Sequence, residues 1–165
     1  MKIRQRALCL LIVIATVTFL FASKFVNDLC VNETGKTKVL VAMQNGQFKD
    51  SVMATVKYAL ENDSYCVKVI PLGDLDAEVM ENYSASVIVN VCHWGRIGGK
   101  ASKFLKKLSP REKEKVVLFT TTGGEGWQPK GIGVDAVTAA SKLKNALRVA
   151  DTIVDKARVI LQKRR

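Results

Sequence analysis

The strongest constraint on this chain is a repeated switch of hydrophobic period. Four short apolar runs, Lys38–Met43 (KVLVAM), Cys66–Leu72 (CVKVIPL), Ser86–Cys92 (SVIVNVC) and Lys115–Thr121 (KVVLFTT), stand apart from stretches with helical spacing. Runs this short and this rich in β-branched residues suit parallel strands covered on both faces. After the first run, Val52, Met53, Val56, Ala59 and Leu60 recur at helical intervals. A short acidic helix is expected near Asp76–Tyr83 and a basic one over Lys100–Leu108. Leu143, Leu147, Ala150, Val154, Ala157 and Leu161 draw an apolar stripe along a last helix. Strand and helix in regular alternation predict an α/β fold, a doubly wound parallel sheet of four to five strands. The pattern is shortened after the fourth strand. There a Gly-rich stretch runs from Thr122 to Gly133, and Gly131–Val134 offers only the stub of a fifth strand.

Charge narrows the function. The formal net charge is +11, yet residues 25–141 hold 14 basic and 13 acidic side chains. The excess sits at the two ends, and no nucleic-acid-binding motif accompanies it, so no nucleic-acid partner is expected. The four cysteines form no C-x-x-C pair and His93 is the only histidine, which argues against a metal site. Cys66 and Cys92 fall in expected strands, where the role of a small buried hydrophobe is the default, and no particular disulfide is expected.

Residues 7–23 (ALCLLIVIATVTFLFAS) carry no charge and follow Lys2, Arg4 and Arg6. A run of that length reaches the lower limit for spanning a bilayer, and a signal peptide shares the layout. No A-x-A-like cleavage site follows, so a retained single-pass anchor is favoured, with membrane lipid as a partner. The basic flank places the N-terminus in the cytoplasm and the domain outside it. The organisation expected is therefore an anchor (or signal peptide) and linker over 1–35, and one α/β domain over 36–165.

In an open parallel sheet, ligands sit beyond the carboxyl ends of the strands where strand order reverses. Three loops matter on that ground. The first, Gln44-Asn45-Gly46-Gln47-Phe48-Lys49, joins a strand to a helix N-terminus, a natural anion site. The second reads Cys92-His93-Trp94-Gly95-Arg96. The third reads Thr121-Thr122-Gly123-Gly124-Glu125-Gly126-Trp127-Gln128. The two tryptophans of the chain thus lie in two of these loops, and a flat aromatic ligand between them accounts for all three together.

From about residue 36 onward the chain resembles the flavodoxin-like family, especially its small membrane-associated members. That resemblance implies FMN as cofactor. Gln44, Asn45, Gly46, Gln47 and Phe48 would hold its phosphate. Trp94 and Trp127 would flank the isoalloxazine, with His93, Gly95, Gly123 and Gly124 around it. Trp94-Gly95 and the following Phe104-Leu105-Lys106-Lys107 also resemble the flavodoxin-like protoporphyrinogen oxidases. The first loop departs from the family in having no Ser or Thr before Ser51. Asp135-Ala136-Val137-Thr138-Ala139-Ala140-Ser141 resembles the pattern at which FMN-transferases attach flavin covalently, which would make Ser141 the acceptor; the favoured reading of its position is an N-cap of the last helix.

Three functions remain open from the sequence. The first is a non-covalent FMN carrier that exchanges electrons with a redox partner protein. The second is a flavin-dependent oxidoreductase acting on a small substrate or quinone. The third is a flavin-free interaction module. No nucleophile–base pair or carboxylate dyad is recognisable, and no catalytic residue is assigned.

Overall fold

Lys38–Met43 forms the strand β1, buried from its second residue onward, because both faces of a central parallel strand are covered. The computed structural model describes residues 37–163 apart from residue 125. After β1 come α1 (Gln47–Asn62), β2 (Cys66–Pro71) and two short 3₁₀ turns (Leu72–Ala77 and Met80–Asn82). Next are β3 (Ala85–His93), the two-residue β4 (Arg96–Ile97), α2 (Gly99–Lys107) and the single turn α3 (Pro110–Lys113). The chain continues through β5 (Val116–Thr122), β6 (Asp135–Ala140) and a further 3₁₀ turn (Leu143–Asn145) into α4 (Ala146–Gln162).

The strands lie in the order β2-β1-β3-β5-β6, all parallel, while β4 turns back antiparallel on the end of β3. Alternate residues of each strand serve opposite faces. Val39, Val41, Val87, Val89 and Phe119 pack under α1 and α4, with Phe48 edge-on to Phe119 at 6.2 Å between ring centroids. Leu40, Ala42, Ile88 and Leu118 face α2 and the 3₁₀ turns through Leu75, Phe104 and Leu105. Ser109 starts α3 with a reciprocal capping box: its hydroxyl accepts from the Glu112 N–H, and its own N–H donates to the Glu112 carboxylate at 2.7 Å.

Several expectations are corrected. The acidic segment near 76–83 forms two 3₁₀ turns instead of a helix. The fifth strand is Asp135–Ala140 rather than a stub at Gly131–Val134; its alternation of Ala with Val and Thr suits an edge position that was hidden by a motif-like reading. Ser141 does not cap the last helix, whose N-cap is Asn145, four residues on. Of the stripe expected along the last helix, Ala150, Val154, Ala157 and Leu161 are buried, joined by Val149, Ile153 and Ile160, while Leu143 and Leu147 are exposed. The shortening after the fourth long strand holds, because residues 123–134 form no helix among the described residues.

Cys66 is disulfide-bonded, while Cys92 is a free thiol. The expected single-pass membrane location is overturned. No helix among the described residues is long and apolar enough to cross a membrane. The run 7–23 that prompted that expectation, together with its lipid contact, lies outside the described residues.

Candidate functional site

The direction of strand order reverses between β1 and β3, and the loops leaving their carboxyl ends part there. The crevice between them is a cavity of about 460 Å³ lined by Gln44 and Asn45 from the first loop, His93 from β3, and Gly98, Gly99 and Lys100 from the start of α2. Gln44 is fixed against this crevice, since its N–H donates to the Val89 carbonyl at 3.2 Å.

The first loop ends on the N-terminus of α1. The N–H groups of Gln47, Phe48 and Lys49 have no acceptor within the helix. Lys49 folds back over Gly46, where an added Cβ would come within 3.0 Å of its Cε. Burial pushes its ammonium below the usual lysine range, and Asp50 opposes that shift in part. Asp50 also accepts the Gly46 N–H at 3.2 Å, so one donor of the loop is already committed. The Phe48 ring is buried in the core, which leaves only its backbone to meet a ligand.

The second loop is a hairpin. His93 pairs with Arg96, and the two residues between them, Trp94 (φ 50°) and Gly95 (φ 70°), both take positive φ as a type I′ turn requires. Trp94 is 99% exposed at its tip. Positive φ is uncommon for an aromatic residue, so the hairpin holds its indole outward against local preference.

Asn90 underlies this hairpin and was not anticipated. Wholly buried, it donates through Nδ2 to the Phe119 carbonyl at 3.2 Å and to Thr120 Oγ1 at 3.0 Å. Its Oδ1 accepts the Gly98 N–H at 3.2 Å, tying the end of the hairpin and the start of α2 to the sheet. The signal in the sequence was a lone amide inside an otherwise apolar run, SVIVNVC.

The third loop meets the second. The Trp127 indole N–H donates to the Gly95 carbonyl at 3.0 Å, so the two tryptophan-bearing loops are joined. Gly123 and Gly124 are exposed, and the Thr122 hydroxyl donates to the Gly124 carbonyl. Gly95 and Trp127 border a second cavity of about 930 Å³, and Gly124 a third of about 200 Å³ beside Thr138 and Arg148. The candidate residues are therefore brought to one end of the sheet but shared among three cavities. Gln44, Asn45 and His93 line one, and Gly95 and Trp127 another. Ser141 is exposed, with its N–H donating to the Thr122 carbonyl at 3.4 Å, and the motif before it is built into β6, where Asp135 pairs with Lys156 at 3.1 Å.

No family model matches this chain, and no curated protein matches it. Solved structures do. A flavodoxin from the domain Archaea is similar with a TM-score of 0.56 at 15% identity, over 75% of this chain and 99% of that one. A diflavin flavoprotein A3 from Nostoc gives 0.54 at 16% identity, over 79% of this chain and 97% of that one. An NADH:FMN oxidoreductase, in its apo form, gives 0.52 at 11%, over 78% and 90%. The likeness is one of fold: a flavodoxin-like parallel α/β sheet, among flavoproteins. FMN is the cofactor named with the last of them.

Proposed function

We propose that this chain is an FMN-binding redox protein that takes the cofactor at the crevice between β1 and β3. The observation that carries the reading is the topological switch point itself, with an α-helix N-terminus and a lysine beside it and, on its rim, His93 of the second loop, which Trp127 ties to the third. A phosphate suits the first loop on physical grounds. Three N–H groups and the helix dipole favour an anion there, and the half-desolvated Lys49 ammonium gains a counter-charge when one arrives. The loss of the Gly46 N–H to Asp50 is offset by Lys100 on the opposite wall.

When bound, FMN supplies one- and two-electron transfer; the residues of the chain bind and orient it. Gln44 and Asn45 offer side-chain amides to the phosphate and ribityl hydroxyls. Trp94 presents an indole with no packing partner to the flat ring, and Trp127 closes the other side while its N–H holds the hairpin in place. His93 and Gly95, with Gly123 and Gly124, leave backbone and imidazole groups near the ring edge. A redox partner protein, a small substrate or a quinone would meet the exposed edge. Ser141 remains a candidate acceptor only for covalent flavin, which needs its hydroxyl turned toward the third loop.

Titration with FMN, followed by quenching of flavin fluorescence, tests the reading. Stacking an aromatic on one base is worth about 1–3 kcal/mol by alanine substitution, so Trp94→Ala and Trp127→Ala should each weaken FMN binding roughly 5- to 150-fold. Unchanged titrations for both variants contradict it.

A further inference from the structure

The cavity of about 930 Å³ lies between α2, the β3–β4 hairpin and the segment 126–132, in the space left because the β5–β6 crossover carries no helix. Its basic lining is Arg96, Lys103, Lys106, Lys113 and Lys130, and among the described residues no Asp or Glu lines it. Several basic side chains outside the groove are matched. Lys57 pairs with Glu61 at 2.5 Å, Lys68 with Glu78 at 2.9 Å, and Arg158 with Asp63 at 2.7 Å. Among the described residues none of the five groove cations forms an ion pair, although Lys103 shares the field of Asp76 with Lys107. Residues 25–141 hold 14 basic and 13 acidic side chains, so the groove gathers its cations from a stretch that is nearly neutral as a whole.

The same groove has an aromatic and apolar side, formed by Trp127, Ile97, Leu105 and Ile132. Its volume is many times that of a phosphate ion and falls in the range of small-molecule sites. We propose that it binds a nucleoside di- or triphosphate, the base against Trp127 and the phosphates among Lys103, Lys106, Lys113 and Lys130. Charge complementarity, an aromatic face and a groove of small-molecule size each match one part of that ligand; an inorganic anion would use only the first. The groove shares Trp127 with the proposed FMN site, but its cationic side is its own, and the proposal does not require that FMN binds.

The test is calorimetric titration of the FMN-free full chain with ADP, adenosine and pyrophosphate. ADP is expected to bind one-to-one, more tightly than either fragment, and less tightly as salt is raised. Exposed charge pairs are worth about 0.2–1 kcal/mol each. The double variant Lys106→Glu/Lys113→Glu should therefore weaken ADP roughly three- to tenfold or more, with FMN titration and thermal melting unchanged. Pyrophosphate binding as tightly as ADP removes the base contact and overturns the proposal. So does ADP binding that ignores the charge reversal. Tighter binding of poly-glutamate or of a thymidine oligonucleotide than of ADP overturns it in favour of a macromolecular partner.

Discussion

Replacing Asn90 with alanine should loosen the candidate site from beneath. The change deletes two hydrogen bonds given to the Phe119 carbonyl and Thr120 Oγ1 and one taken from the Gly98 N–H. Asn90 is wholly buried, so water does not take over these partners without opening the sheet. A net hydrogen bond contributes about 1 kcal/mol, and a buried group left unpaired costs about 1–3 kcal/mol. Part of the loss falls on atoms with other partners, because the Phe119 carbonyl belongs to a central strand. The expected loss is therefore about 2–4 kcal/mol, measured by urea unfolding at neutral pH. Below the transition, the Trp127 fluorescence in a Trp94→Phe background should also change, since Gly95 sits on the hairpin whose end Asn90 anchors. A loss under about 0.5 kcal/mol with unaltered fluorescence refutes the reasoning, for it would mean that the hairpin is held by something other than Asn90.

Two further outcomes follow from the first loop and from the 3₁₀ region. Lys49→Met removes a buried ammonium that burial disfavours, so unfolding by urea should become slightly harder while FMN affinity falls; a destabilised variant with intact affinity contradicts the assigned role. Burial raises the pKa of Glu78, but the Tyr83 hydroxyl at 2.5 Å and Lys68 outweigh it and hold the carboxyl below its ordinary value. The stability that this cluster adds is fully present above the unfolded carboxylate pKa of about 4.3 and is lost as pH falls through the folded value. Glu78→Gln should consequently flatten the acid limb of a stability–pH curve, and a limb identical to that of the parent protein argues against the cluster.

The sheet was legible because four of its runs are largely aliphatic, as suits parallel strands covered on both faces; β1, β3 and β5 are central and β2 lies at one edge. The edge strand Asp135–Ala140 was not, since an edge tolerates small and polar residues and Asp135-Ala136-Val137-Thr138 imitates a modification motif. Polar content also concealed Asn90, whose value lies in partners about 30 residues distant that no local pattern reveals. The loops were placed at the correct end of the sheet by topology alone. Their division among three cavities, the burial of Phe48 and the bond between Trp127 and Gly95 depend on side-chain directions, which the order of residues does not encode. The charged groove was missed for a related reason: its cations come from β4, α2, α3 and the 126–132 segment, and only the fold assembles them.

The proposed redox function requires a flavin in the β1/β3 crevice. An absorbance spectrum of the purified chain, taken before and after acid precipitation, bears on that most directly. Flavin bands that pass into the supernatant as FMN are the predicted result. A colourless protein that acquires no such bands after incubation with excess FMN contradicts it.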